Sequence, residues 1–192
     1  FKPSTDALPV DQLIALDQYI LQRAHEVQQS ILTAYDEMNF HVVCSSLTNF
    51  CINDLGGFYL DIIKDRQYTT KTDSQARRSA QTALYHIVQA FIRWMSPILS
   101  FTAQEAWPLI PEQSEKYVFM SEWYQIPVAS TANLISEENW QTLITVKSAV
   151  NKQIEAARNA KLVGSNLSAK VELWAQPALK SILDQLGNEL RF

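Results

Sequence analysis

The sequence is poor in glycine and contains no long uninterrupted hydrophobic run. Only four glycines occur among 192 residues, so neither GxxxxGK nor GxGxxG, the glycine-rich patterns that hold nucleotide phosphates, can be written. The most hydrophobic stretch, 83–101, is interrupted by four residues that a membrane span disfavours, namely His86, Gln89, Arg93 and Pro97. These absences predict that this chain carries no nucleotide chemistry and does not span a membrane.

Cysteine and histidine are also scarce and scattered. Cys44 and Cys51 are the only cysteines, and on one helix they would lie about 10 Å apart along its axis, too far for a disulfide. Neither a CxxC pair nor an HExxH or GxSxG motif occurs. We therefore predict no metal site and no catalytic residues, and two reduced thiols fit a cytoplasmic protein. The missing initiator methionine suggests a piece excised from a longer protein.

The hydrophobic pattern is helical almost throughout. The clearest segment begins near Asp11, where apolar residues recur at steps of three and four for about seven turns, at Leu13, Leu16, Ile20, Ala24, Val27, Ile31, Tyr35 and Met38. Similar patterns predict helices over 41–55, 58–66, 73–94, 136–161 and 177–186, with a short helix before Pro111. Gly56-Gly57 is expected to break the chain between two of them, and Asp73 and Ser136 are expected to act as N-caps.

Short loops between these helices predict a mostly α fold in which helices pack as an antiparallel bundle. We assign residues 1–129 to the bundle, including an aromatic loop over 116–126 that packs across its surface. Residues 130–192 would form a long helix and the start of a small α+β piece. Lys170–Trp174 alternates polar and apolar residues like a strand, and Glu189–Phe192 could begin a second one.

The charge distribution contains one unexpected feature. The chain has a net charge of −4, yet the five basic and two acidic residues of 64–78 sum to +3; the basic ones are Lys64, Arg66, Lys71, Arg77 and Arg78. Arginines in the first turns of a helix cost a few tenths of a kcal/mol each, because that end is already positive. An anionic partner such as phosphate would offset this cost, and Gln67 and Tyr68 could contact an unpaired base. Alternatively, Arg77 and Arg78 pair with acids on adjacent helices.

A second basic patch lies on the predicted helix 136–161. Its four cations against Glu155 again sum to +3, and they are Lys147, Lys152, Arg158 and Lys161. Such a stripe can bind RNA or can be an ordinary solvated helix face. Because the sequence pI is near 5.4, which is not typical of a self-sufficient nucleic-acid binder, we expect any RNA binding by this chain alone to be weak.

Several long strings resemble the anticodon-binding helical domain of bacterial-type isoleucyl-tRNA synthetases. The resemblance covers nearly the whole chain in uninterrupted order, and we find it in FYLDIIKDRQY (58–68), RRSAQTALYHI (77–87), RWMSPILSFTAQEAW (93–107), EKYVF (115–119) with Glu122-Trp123, and VNKQIEAARNAKLVGSNLSAKVEL (150–173). It implies that the chain holds the anticodon stem-loop of isoleucine tRNA. It also adds Arg23, Asn39 and Phe40 to the candidate tRNA contacts.

The same resemblance implies a longer parent protein. Members of this family are class I ligases that use ATP and Mg²⁺ in an upstream catalytic domain, edit in an inserted domain, and bind zinc in a C-terminal tail. Neither the HIGH nor the KMSKS signature occurs in this sequence, so the chain itself is expected to need no cofactor and to perform no catalysis. Its expected partners are isoleucine tRNA and the other domains of a monomeric parent. The alternative is a structural or protein-interaction bundle whose basic patch docks an acidic partner.

Overall fold

All regular secondary structure in the described residues is helical, which confirms the predicted mostly α bundle. A computed structural model describes residues 1–130, 134–164 and 169–191. The chain divides into two compact units, Phe1–Leu134 and Ile135–Phe192. The described residues of the first unit form six α-helices, which are α1 (Pro3–Asp6), α2 (Ala15–Asp36), α3 (Phe40–Asn49), α4 (Leu60–Thr69), α5 (Gln75–Met95) and α6 (Ser100–Ala106).

Helices α2 and α5 run side by side in the same direction. At their beginnings the Ile14 N–H donates to Ser79 Oγ at 2.8 Å, and at their ends the Tyr35 hydroxyl donates to the Trp94 carbonyl at 2.6 Å. The segment 40–69 runs back antiparallel to both. The bundle therefore has two ends, which we call the Ser74 end (start of α2, end of α4, start of α5) and the Phe40 end (end of α2, start of α3, end of α5).

The predicted break at Gly56-Gly57 is wrong, because residues 40–69 form one continuous helix. Its central part, Phe50–Tyr59, is a π-helix, in which each N–H bonds five residues back; the Leu60 N–H still bonds to the Leu55 carbonyl. A Cβ on Gly56 would lie 3.1 Å from the Cys51 carbonyl oxygen, and a Cβ on Gly57 would lie 3.1 Å from that of Ile52. The glycines thus allow the wider turn instead of ending the helix.

A buried carboxylate joins three of these elements. Asp17 on α2 is fully buried; it accepts hydrogen bonds from the Tyr59 hydroxyl at 2.7 Å, from Arg66 Nη1 at 3.0 Å and from the Ser79 hydroxyl. Burial, followed by the adjacent Asp17 charge, raises the pKa of Tyr59 well above its usual value, so the phenol stays protonated and can donate. Because a buried charge is tolerated only when paired and hydrogen-bonded, these residues fix the helices against one another.

The aromatic loop packs on the bundle as predicted. It contributes Val118 to a buried hydrophobic cluster with α5, α6 and the residues that follow α6. The other members are Ile92, Met95, Ala103, Trp107 and Ile110. The Trp107 indole donates to the Glu115 carbonyl at 2.8 Å, and the Val118 N–H donates to Gln104 Oε1 at 3.0 Å. The loop is therefore held by specific hydrogen bonds as well as by apolar contact.

The second unit contains α7 (Glu137–Asn159) and α8 (Pro177–Asp184). Ser136 caps α7 as predicted, since its hydroxyl accepts from the Asn139 N–H at 3.3 Å. The predicted strands are wrong in the described residues: 170–174 has no regular secondary structure, and Gly187–Arg191 is a 3-10 helix. A strand requires a neighbour to satisfy its backbone groups, and the described part of the chain offers none to 170–174.

We expect Asp17→Ala to lower the free energy of unfolding by about 3–5 kcal/mol, because it leaves the buried Arg66 guanidinium without its carboxylate. Urea denaturation followed by circular dichroism measures the loss. The matched control is Asp61→Ala, since Asp61 forms an exposed ion pair with Lys64 at 3.0 Å, worth at most about 1 kcal/mol. Equal losses for the two variants would contradict a structural role for the Asp17 network.

The stability of the bundle should also depend on His86. Burial lowers the pKa of His86 to about 4, and the Tyr124 hydroxyl lies 2.6 Å from its Nδ1. In the unfolded chain the histidine pKa is about 6.5, so the unfolded chain binds a proton at His86 more readily than the folded chain does. Stability from this group is therefore complete above pH 6.5 and is lost as the pH falls toward 4, by up to about 3 kcal/mol. His86→Gln should show a shallower decline over that range than the unmodified chain; parallel curves would contradict the assignment.

Candidate nucleic-acid interface

The candidate interface at the Ser74 end is a tight turn between α4 and α5. Ser74, not Asp73 as predicted, is the N-cap of α5, and its hydroxyl accepts from the Arg77 N–H at 3.3 Å. The Ser74 N–H donates to the Lys71 carbonyl at 3.1 Å, and the Thr70 hydroxyl donates to the Arg66 carbonyl at 2.6 Å. Asp73 is exposed and takes no part in the capping bond. The turn is thus held by hydroxyl groups.

Arg66 is the predicted contact that the structure places in the core. Its side chain is 2% exposed and pairs with Asp17 at 3.0 Å, so it cannot reach a ligand on the surface of this fold. The prediction that Arg66 contacts tRNA directly is corrected to a packing and charge-pairing role.

Arg77 and Arg78 are both partly buried, and each has protein partners. Arg77 Nη1 donates to the Thr70 carbonyl at 3.1 Å, which ties the start of α5 back to the turn. Arg78 Nη1 pairs with Asp6 on α1 at 3.1 Å. The Lys2 N–H is the largest cause of a lowered pKa for the Asp6 carboxyl, and Arg78 acts in the same direction. The alternative that these arginines pair within the protein therefore holds for Arg78.

Tyr68 and Lys71 are the residues of this set that the turn presents to solvent. Tyr68 is 85% exposed, and Lys71 is exposed with no ion pair among the described residues. Lys64 is also exposed but pairs with Asp61, while Gln67 is partly buried. A stacking aromatic ring and a cation therefore lie beside the N-terminus of α5, where the helix carries partial positive charge.

The candidates Asn39 and Phe40 lie at the opposite end of the bundle. The last residue of α2, Asp36, lies nineteen positions after Asp17, which places the Phe40 end about 30 Å from the Ser74 end. Asn39 donates to Glu37 Oε2 at 2.9 Å, and Phe40 is half-exposed against the Tyr35 ring. Arg23, midway along α2, pairs with Glu26 and Asp54. The structure thus separates these residues from the turn.

The second basic patch lies on α7 in the other unit. By helical spacing Lys147 and Arg158 share one face, whereas Lys152 is about 140° away from Lys147 around the axis. Arg158 pairs with Glu155, and Lys147 is partly buried with an interaction partner. Lys161 follows the end of the helix with a φ of 58°. The patch is not one continuous stripe of unpaired cations.

The described residues offer neither a metal site nor a membrane span. No three His, Cys, Asp or Glu side chains in that part of the chain come together as ligands. None of the helices there is both long and apolar enough to cross a bilayer.

Sequence comparison bears on both units. Residues 17–173 match the family model described as the anticodon-binding domain of tRNA ligase. The isoleucine–tRNA ligase of Acinetobacter baylyi is 83% identical over 192 residues, covering 100% of this chain and 20% of that protein. The corresponding ligases of Psychrobacter arcticus and Shewanella pealeana are 54% and 51% identical, with the same coverage. The chain spans about a fifth of the length of these curated relatives.

The turn itself yields a stability prediction. Ser74→Ala removes the N-cap hydroxyl of α5 and should lower the free energy of unfolding by about 1 kcal/mol. The matched control is Thr72→Ala, because Thr72 is an exposed residue of the same turn whose side chain forms no hydrogen bond within the described part of the chain. It should have no measurable effect. Thermal denaturation of both variants checks this, and a larger loss for Thr72→Ala would contradict the assignment of the cap.

Proposed function

The chain belongs to the anticodon-binding domain family of tRNA ligases, and we propose that it is the part of an isoleucine–tRNA ligase that holds the anticodon stem-loop of isoleucine tRNA. The observation that carries this proposal is the family match over 17–173 together with isoleucine–tRNA ligases as relatives along the whole chain. Binding the anticodon arm would place the acceptor end of the tRNA at a catalytic site elsewhere in the parent protein.

The turn at the Ser74 end is the surface that we propose for this contact. In α5 the first helical N–H groups, those of Gln75 and Ala76, have no recorded partner in the described part of the chain, and such groups attract phosphate oxygens. Lys71 adds a mobile positive charge, and the exposed Tyr68 ring offers a face on which an unpaired base can stack. Arg77 would act indirectly, by holding the turn in shape.

Binding by this chain alone should be modest in strength. The net charge is −4, and several cations near the turn already pair with protein acids or carbonyls. Phosphate contacts supply most of the affinity of a nucleic-acid complex, and base contacts supply its selectivity. With few unpaired cations near the turn, stacking on Tyr68 would supply much of the preference for unpaired loop bases over a base-paired stem.

We assign the remaining chemistry of the ligase to parts of the parent protein that lie outside this chain. These parts would bind ATP and Mg²⁺ for the activation of isoleucine, and a zinc ion in the C-terminal tail. The chain itself would contribute RNA binding and no reacting group. We further propose that the parent acts as a monomer in the cytoplasm.

Fluorescence anisotropy with a labelled isoleucine tRNA anticodon stem-loop tests the proposal. Tyr68→Ala should weaken binding about 5- to 100-fold, the range for one lost base stack. Lys71→Glu should weaken it and make the dependence of log affinity on log salt shallower by about 0.7–0.9, the value for one phosphate contact. Both variants should unfold at the same urea concentration as the unmodified chain, because both side chains are exposed.

Two controls make this experiment decisive. Lys116→Glu makes the same charge change on the exposed aromatic loop, away from the turn, and should reduce the affinity much less than Lys71→Glu. A stem-loop with the acceptor-arm sequence should bind more weakly than the anticodon stem-loop. Equal losses for the two lysine variants would remove the turn as the contact surface, and equal binding of the two RNAs would contradict anticodon-arm recognition itself.

A further inference from the structure

A half-buried arginine at the Phe40 end has no counter-ion. Arg93, in the last turn of α5, has no carboxylate oxygen within 4.0 Å among the described residues. Its guanidinium carbon lies 4.6 Å from the centre of the Trp107 ring and 5.4 Å from that of Tyr124. Burial lowers the pKa of this guanidinium, although nearby Tyr124 and Tyr85 act in the opposite direction. Arginine keeps its charge in proteins, so this half-buried cation lies among aromatic rings with no carboxylate beside it in the described part of the chain.

Three of the five N–H donors of Arg93 are already used. Nε donates to the Glu122 carbonyl at 2.8 Å, and Nη1 donates to the carbonyl and the side-chain oxygen of Gln89 at 2.7 and 2.6 Å. A guanidinium has two further donors, on Nη2, and these have no recorded partner in the described part of the chain. The protein bonds therefore fix the orientation of the group and leave one nitrogen free for a ligand.

Arg93 also lines a cleft of about 570 Å³. The wall of this cleft includes Phe119 and Trp123, which are 57% and 38% exposed, together with Pro97 and Gln125. Concave sites of about 300–1,000 Å³ with apolar walls and a few fixed polar groups are typical of ligand pockets. The cleft thus combines an oriented cation with two accessible aromatic rings.

The charges of the cleft favour a single carboxylate over a nucleic acid. Among the described residues that line the cleft, Arg93 and Glu122 are the charged ones, and their charges cancel. RNA binding gains affinity by neutralising several phosphates with several cations, which this lining does not offer. One carboxylate can accept a charge-assisted hydrogen bond from Nη2, while an adjacent apolar side chain rests against Phe119 and Trp123.

We propose that this site, the Arg93 cleft, docks a peptide segment that presents one carboxylate beside an aromatic or large apolar side chain. We commit to a segment of the same longer polypeptide as its occupant, because the chain spans about a fifth of the length of its relatives. Four fifths of the length of the Acinetobacter baylyi relative lies outside the matched region and supplies further segments that can contact such a bundle. Docking through one charged group and one apolar side chain would fix the register of the contact. The proposal does not rest on tRNA binding.

The test uses two dipeptides that differ in one charge, acetyl-Phe-Glu-amide and acetyl-Phe-Gln-amide. We expect the first to shift the NMR signals of the Trp123 indole and the Arg93 Nε–H in the 192-residue chain, with an affinity at least about tenfold higher than that of the second. Gln125→Glu places a negative charge on the lining without touching the Arg93 hydrogen bonds. It should reduce the affinity for Phe-Glu severalfold and leave that for Phe-Gln unchanged, whereas Gln153→Glu on α7 should change neither.

Each other result overturns part of the proposal. Equal affinities for the two dipeptides, or no shift at millimolar concentration, would remove the Arg93 cleft as a carboxylate site. Tighter binding of uridine monophosphate than of Phe-Glu would make it a nucleotide site instead. In the longer polypeptide the occupant should already fill the cleft, so the Phe-Glu dipeptide should no longer bind there; unchanged binding would show that the occupant comes from a different protein.

Discussion

The first unit is organised around one buried carboxylate. Asp17 cannot remain charged in the core without partners, so the Tyr59 phenol, the Arg66 guanidinium and the Ser79 hydroxyl must converge on it. The Arg66 carbonyl in turn accepts from Thr70, whose hydroxyl oxygen accepts from Ser74. A continuous chain of bonds thus leads from the core to the turn at the Ser74 end. Because Arg66 points inward, Tyr68, two residues later on the same helix, points to solvent.

The parts of the fold that could be predicted from sequence are those decided by local periodicity. α2, α5 and α7 each carry a continuous apolar face, and such faces are read directly from residue spacing. The prediction failed where a neighbouring segment decides the outcome. Gly56-Gly57 is a breaker by local preference, yet here it accommodates a π turn. Lys170–Trp174 alternates like a strand, but alternation without a partner strand does not make a sheet.

The position of the charged turn could be predicted from the sequence, whereas the exposure of its individual side chains could not. A positive segment on an acidic chain is visible in composition, and the gap between the helices predicted over 58–66 and 73–94 falls within it. Which cations are free depends on contacts that are distant in sequence, since Arg66 meets Asp17 and Arg78 meets Asp6. The contacts of Arg93 could not be predicted from the sequence either. Nothing in its local sequence indicates that two aromatic rings and three hydrogen bonds would hold it without a counter-ion.

The π segment has a consequence for how the length of this protein can vary. Each π turn holds about one residue more than an α turn. Across the ten residues of 50–59 this shifts the side chains of the following helix around its axis by about two residue positions, or roughly 200°. An uninterrupted α-helix continuing the buried positions of α3 would turn Asp61 and Asp65 toward the core. The π segment brings Ile62, Ile63 and Arg66 there instead. A deletion of one residue within 50–59 would therefore rotate all of α4, and insertions or deletions should be rarer in this segment than in the exposed loops of related proteins.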